Sequence, residues 1–174
     1  MWRSLCAAIL VALSCHGTWS AERVDESEVK AAVIYNLLLF VHWPPQASPP
    51  ASFRFCVLGD GALTTALRHH ERKSVRGQPL EIRSIGAAPE EVDICAAVMV
   101  ERGSPGTLTR LGVLARNRPL LVIAEGPGAV DRGAMIGLHT DGGRVTFDIN
   151  HGAITKSGMT ASSKILRLAR IVIE

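Results

Sequence analysis

The chain has 174 residues, 47% hydrophobic and 20% charged, which is enough for one domain of ordinary size with an apolar core and argues against disorder. The formal net charge is only +3 and aromatic residues make up 5% of the chain. The sequence therefore indicates neither a basic stripe nor a set of stacking residues for binding nucleic acid.

The first 21 residues have the pattern of a signal peptide. Arg3 precedes the short apolar run Cys6–Leu13, small residues follow as far as Ser20 and Ala21, and the run is too short to cross a bilayer. We predict cleavage near Ser20 or Ala21, with residues 22–174 exported as one soluble domain. Two alternatives stay open: a buried N-terminal helix, and a lipoprotein acylated at Cys15.

A helix is predicted from Ser27 to about His42, where apolar residues recur at helical spacing, and Pro44-Pro45 ends it. No Asp, Glu, Lys or Arg occurs between Ala31 and Phe53, and the helix is apolar nearly all round. Such a helix either lies in the core or is partly covered by another chain. The second interpretation predicts a homodimer or partner surface formed by Tyr35, Leu38, Leu39 and Trp43.

The middle of the chain alternates between predicted strands and helices. The strands are Phe53–Leu58, Leu80–Ile85, Asp93–Val100 and Pro119–Ala124, and the helices run from Ala62 to Glu71 and from Ser104 to Arg116. Strands that are apolar on both faces indicate a mainly parallel sheet that is covered on both sides. The connection from Ile85 to Asp93 is shorter than a usual helical crossover, so an irregular loop can replace the helix there.

The end of the chain predicts an antiparallel hairpin. Asp141-Gly142 is a strong turn signal between Ala134–Thr140 and Gly143–Asn150, and this turn sets Leu138 opposite Val145.

A final helix is predicted from about Ser162 to Ile173. The predicted fold is therefore a single α/β domain. It has a mixed, mostly parallel central sheet with helices on both faces, and a C-terminal β-hairpin plus helix.

Motifs that could carry chemistry are weak. Gly59-Asp60-Gly61 resembles the start of a dinucleotide fingerprint, but Thr64 replaces its third glycine, which favours a plain strand-to-helix turn. His69-His70-Glu71 could suggest a metal site, but adjacent residues on a helix point about 100° apart. We interpret Asp148, on the polar face of a predicted strand, as a solvated residue that contributes to solubility. The sequence therefore predicts no catalytic, cofactor-binding or metal-binding residues, and no enzyme.

Several blocks of sequence resemble one family. They are Val29–Pro44 (VKAAVIYNLLLFVHWP), Phe55–Gly59, Arg76–Arg83, Arg132–Ile136, Gly143–Asn150 and Ser162–Ala169. In this order they closely resemble the YfiR/HmsC-like family, also called DUF4154, and together they cover nearly all of the exported chain.

This resemblance implies a periplasmic regulator without catalytic activity. It implies that the protein represses an inner-membrane diguanylate cyclase through the cyclase's periplasmic domain and so lowers cyclic-di-GMP signalling and biofilm matrix. It also implies redox-sensitive, often dimeric behaviour, and an outer-membrane lipoprotein partner that sequesters the regulator. Since no further domain follows in this sequence, we expect the protein to act in trans.

Two cysteines, Cys56 and Cys95, remain after the predicted cleavage, an even number in an oxidising compartment. The resemblance implies that they form a disulfide, and their strands are neighbours in a sheet of spatial order 2-1-3. The alternative is two buried thiols. A second cysteine pair, found in some relatives, is missing because no cysteine follows Cys95.

Two further functions stay open beside regulation. One is a periplasmic sensor that binds a small ligand in the crevice at the strand ends, where open α/β sheets bind their ligands. The other is an exported hydrolase, although no nucleophile, base and oxyanion donor can be assembled from the sequence.

Overall fold

The structure is a computed structural model that describes residues 25–45, 50–86, 89–101 and 105–174. The predicted signal peptide lies outside the described residues. The helices are α1 (Glu26–Phe40), α2 (Ala62–Arg68), α3 (Pro89–Val92), α4 (Pro105–Ala115), α5 (His151–Lys156) and α6 (Ser163–Leu168). The strands are β1 (Val41–His42), β2 (Phe53–Leu58), β3 (Ser74–Val75), β4 (Gln78–Ser84), β5 (Ala97–Val100), β6 (Leu121–Glu125), β7 (Ile136–Asp141), β8 (Arg144–Asn150), β9 (Thr160–Ala161) and β10 (Ile171–Ile173).

Within the described residues, eight strands form one sheet in the order β10-β8-β7-β6-β5-β2-β4-β3. All neighbours are parallel except β7 with β8 and β3 with β4. The connections through α2 and α4 lead in opposite directions from the centre of the sheet, and right-handed crossovers then put these helices on opposite faces. The predicted mixed, mostly parallel α/β fold is confirmed.

The central strands are apolar because both of their faces are covered. Every residue of β5 is buried, as is β6 from Leu121 to Ala124. The bounds predicted for Phe53–Leu58 are correct, whereas β5 begins at Ala97, four residues after Asp93. The short connection before β5 holds the one-turn helix α3.

Helix α1 is capped by Asp25, and after the charged residues of its first turns it is mainly apolar. The side chain of Asp25 accepts a hydrogen bond from the backbone N–H of Ser27 (3.0 Å). After Phe40 the chain becomes extended, and Val41–His42 pairs antiparallel with Thr160–Ala161 in a separate two-stranded sheet. This pairing was not predicted, because it joins two-residue segments that are far apart in the sequence.

The C-terminal hairpin forms, but the predicted register is wrong by two residues. Leu138 lies opposite Phe147 and not opposite Val145, and the turn is made by Gly142 and Gly143. Both glycines have positive φ (55° and 77°), as a type I′ turn requires. A shift of two residues leaves the same side chains on the buried face, so the apolar pattern alone could not distinguish the two registers.

The predicted final helix is wrong over its second half. Helix α6 ends at Leu168, Ala169 is extended, and Ile171–Ile173 forms strand β10 parallel to β8. The last strand of the sheet is therefore β10 and not the hairpin.

Candidate interaction surface

The residues predicted as a partner surface on α1 make contacts within the chain. Leu38 is 1% exposed and belongs to the core, so its assignment to a surface was wrong. Tyr35 is partly buried, its hydroxyl donates to the carbonyl of Ser74 (3.0 Å), and its ring lies 5.1 Å from that of His70. Leu39 is partly buried against the core.

The indole of Trp43 anchors the end of the α1–β1 segment to the sheet. Its Nε1–H donates to the carbonyl oxygens of Ala96 (3.1 Å) and Pro119 (3.0 Å), which lie just before β5 and β6. Its ring meets Phe53 edge-on at 4.9 Å. These contacts give Trp43 a structural role within one chain. A partner surface formed by Tyr35, Leu39 and Trp43 stays a prediction.

The structure joins Cys56 to Cys95 by a disulfide bond, the pairing that the family resemblance implied. Cys56 lies in the middle of β2 and is fully buried, and Cys95, 7% exposed, lies two residues before β5. The two Cα atoms are 5.9 Å apart. The bond therefore ties the central strand β2 to the entry of its parallel neighbour β5.

The clearest exposed apolar feature lies at the free end of the sheet. Leu168, Ile171 and Val172 are 66%, 46% and 37% exposed, and we call these residues and the unpaired side of β10 the β10 edge. An exposed strand edge with apolar side chains is a template for contact with another chain. This surface was not predicted, because residues 162–173 were interpreted as one helix.

A buried carboxylate holds the β10 edge on the sheet. Asp148 of β8 is 3% exposed and accepts hydrogen bonds from Nε (3.0 Å) and Nη2 (2.7 Å) of Arg170, and from Nε2–H of His139 (2.7 Å). The interpretation of Asp148 as a solvated residue was wrong. Burial alone would raise the pKa of Asp148, but the hydrogen bonds from Arg170 and His139 outweigh it and hold the pKa below its usual range.

We expect Asp148→Asn to lower the free energy of unfolding by about 2 kcal/mol at pH 7, because a buried charge-assisted pair is lost. A carboxyl with a depressed folded-state pKa stabilises the fold above its unfolded pKa, and this contribution disappears as the pH falls through the folded value. In urea unfolding the difference between wild type and variant should therefore be constant above about pH 5 and shrink towards pH 3.

The matched control for this experiment is Asp131→Asn, since Asp131 is an exposed acid outside the β10 edge. It should change the free energy of unfolding by less than about 0.5 kcal/mol at every pH. A difference between wild type and Asp148→Asn that does not vary with pH would contradict the assigned role of the carboxylate.

The carboxyl ends of the parallel strands open into a cleft of about 1010 Å³. On one wall, Nζ of Lys30 contacts Oε1 of Glu26 (2.6 Å) and Oε1 of Glu125 (3.2 Å). Thr140 of the hairpin donates its hydroxyl to Glu26 (2.9 Å). This network joins α1, β6 and β7 around the cleft, which lies at the edge of the sheet where open α/β proteins bind ligands, outside the carboxyl ends of the strands.

The carboxylate of Glu101, the residue that follows β5, binds the turn at Gly59-Asp60-Gly61. Oε2 of Glu101 accepts hydrogen bonds from the N–H of Gly61 (3.1 Å) and the hydroxyl of Thr64 (3.2 Å). The carboxylate thus lies at the start of α2, where the phosphates of a dinucleotide bind in the fingerprint fold. This arrangement supports the strand-to-helix turn over a cofactor site.

His69 and His70 contact different neighbours. Nδ1 of His69 lies 2.9 Å from Oε1 of Glu28, whereas Nδ1 of His70 lies 3.1 Å from Nζ of Lys73. Burial, and then the charge of Lys73, lower the pKa of His70. Among the described residues, no group of three or more His, Cys, Asp or Glu side chains could hold a metal ion.

The comparison with known families agrees with the resemblance seen in the sequence. The family model described as YfiR/HmsC-like matches residues 27–170, which is most of the chain. The chain belongs to the YfiR/HmsC-like family. At the level of the family, YfiR/HmsC-like proteins are periplasmic regulators of diguanylate cyclases and not catalysts. In the part of this chain that the structure describes, none of the helices is both long and apolar enough to span a bilayer.

Proposed function

We propose that this protein is a periplasmic repressor of an inner-membrane diguanylate cyclase, which it binds through the cyclase's periplasmic domain. The observation that carries the proposal is the family match over residues 27–170. In this proposal the first 21 residues are a signal peptide that is removed on export. The exported domain then lowers cyclic-di-GMP output and biofilm matrix.

Two features of the structure support this proposal, one for the oxidising compartment and one for binding to another protein. The Cys56–Cys95 disulfide is a bond that persists outside the cytosol. The β10 edge offers exposed apolar side chains next to an unpaired strand. An outer-membrane lipoprotein that sequesters the repressor is a second proposed partner, and its support is the family resemblance alone.

The redox part of the proposal is limited to one disulfide. Cys56 is fully buried and Cys95 is only 7% exposed, so a reductant has little access to the bond while the protein is folded. No cysteine follows Cys95, and a switch built on a second pair has no basis in this chain. We therefore propose that the Cys56–Cys95 bond is structural.

Deletion of the gene is expected to raise the intracellular cyclic-di-GMP level several-fold, with more matrix and less motility, because the cyclase loses its repressor. Nucleotide extraction and quantification from deletion, wild-type and complemented strains checks this result. The control is the same deletion in a strain whose cognate cyclase is inactivated, where the level should not rise. An unchanged level in a strain with an active cyclase would refute the proposed function.

A second candidate function is a sensor for a small polar ligand. The specific observation in its favour is the cleft of about 1010 Å³ at the strand ends, with Lys30, Glu26 and Glu125 on one wall.

A further inference from the structure

The backbone of β10 directs hydrogen-bonding groups away from the sheet at Val172. The register places Val172 beside Ile149 of β8. The N–H of Asn150 is donated to the carbonyl of Met135 (2.8 Å), on the β7 side, so by alternation Ile149 turns its N–H and C=O towards β10. In a parallel pair these groups bond the residues on either side of Val172, which leaves the N–H and C=O of Val172 facing outwards.

The sequence around Val172 is complementary to itself in the antiparallel direction. If two copies of β10 paired about a twofold axis at Val172, Ile171 of one copy would lie opposite Ile173 of the other. Arg170 would lie opposite Glu174, a pair of opposite charges, and the two Val172 residues would exchange both of their outward hydrogen bonds. With the twofold axis at Ile173 instead, the outward backbone groups of the two strands would still face each other. However, Val172 would then lie opposite Glu174, which pairs an apolar side chain with a charge.

The side chains at this edge are available for such pairing. Arg170 binds Asp148 through Nε and Nη2 and not through Nη1. About half of the Arg170 side chain is exposed. Glu174 is exposed and meets His151 by a single contact (3.0 Å). Leu168 lies beside the strand at the end of α6, so that apolar surface continues beyond the paired backbone.

We propose that the β10 edge binds a second copy of this chain, with the two β10 strands antiparallel and Val172 at the twofold axis. The dimer joins two eight-stranded sheets into one continuous sheet. It uses an isologous interface, in which each residue contacts its symmetry counterpart or the residue paired with it. This inference is independent of the proposed regulation, because it concerns the purified chain alone.

The first test measures self-association of the exported chain, purified from the periplasm, by sedimentation equilibrium. Val172→Lys sets two like charges face to face at the axis, and we expect self-association at least about tenfold weaker than in wild type. Thr65→Lys is the matched control, because Thr65 is exposed on α2, which connects β2 to β4 far from β10 in the sheet. It should associate like wild type.

The second test does not depend on the lysine variant folding. Cα atoms of a hydrogen-bonded antiparallel pair are about 5.5 Å apart, within the range of a disulfide. Val172→Cys should therefore form a covalent dimer under mild oxidation, much faster than the control Thr65→Cys, as non-reducing gel electrophoresis will show.

Two results would overturn the proposal. The first is cross-linking of Val172→Cys that is no faster than that of Thr65→Cys. The second is self-association of Val172→Lys that is as strong as that of wild type, since another face then forms the interface.

Discussion

Replacing both Cys56 and Cys95 by alanine is expected to lower the free energy of unfolding by about 4 kcal/mol. The disulfide joins residues that are 39 positions apart, and the chain-entropy model assigns about this value to a loop of that length. A typical domain is stable by only about 5–15 kcal/mol, so the variant would retain a small margin. The two small cavities left by the sulfur atoms add to the loss, because both side chains are buried.

Urea unfolding of the oxidised wild type and of the double-alanine variant measures this loss. Reductant present throughout the titration provides the control, since it should move the wild-type midpoint towards that of the variant and leave the variant unchanged. Equal midpoints for the two proteins without reductant would contradict the prediction.

The rate at which the disulfide of the wild-type protein is reduced distinguishes a structural bond from a redox switch. Because Cys56 and Cys95 are buried, we expect the native protein to be reduced no faster than it unfolds. Thiol labelling with time under mild reductant measures the rate. Rapid reduction with the fold retained would support redox switching instead.

The parallel half of the fold could be predicted from local sequence because its strands are buried on both faces. Runs such as Leu121–Ala124 have no polar residue, and such runs alternating with helices leave few arrangements open. The neighbouring position of β2 and β5 followed from the usual spatial order of doubly wound sheets, and it brings Cys56 within reach of Cys95.

The β10 edge could not be predicted because a distant contact determines it. Residues 162–173 have helical spacing of apolar side chains, yet the helix ends at Leu168 and the guanidinium of Arg170 binds Asp148 in β8. Local periodicity does not contain that contact. The β-branched run Ile171-Val172-Ile173 was the one local signal for a strand, and it is too short to outweigh the helical pattern.

The close approach of α4 to the loop before β7 depends on two glycines. A Cβ atom at Gly133 would lie 2.6 Å from the carbonyl oxygen of Leu108, and one at Gly112 would lie 2.9 Å from the carbonyl oxygen of Gly133. These neighbours are backbone atoms, so they cannot move aside as a flexible side chain can. Gly133 belongs to the block Arg132–Ile136 that resembles the family, but its role is visible only in three dimensions.

We expect Gly133→Ala to lower the free energy of unfolding by about 2–5 kcal/mol. Gly133 has φ of 118°, where an L side chain is strained by about 1–2 kcal/mol, and the clash with Leu108 adds an overpacking cost of about 1–3 kcal/mol. Gly126→Ala is the matched control, because Gly126 has φ of 96° but no atom within 4 Å of the added Cβ. It should lose only the backbone part, about 1–2 kcal/mol.

Urea unfolding of the two variants separates the strain of the backbone from the clash. The expected difference between them is about 1–3 kcal/mol, which is the cost of separating α4 from the loop. Gly112→Ala should lose only this clash part, about 1–3 kcal/mol, because its φ is not positive and its Cβ would meet the same contact from the side of the helix. If Gly133→Ala and Gly126→Ala lose the same stability, the loop yields without cost and the close approach does not stabilise the fold.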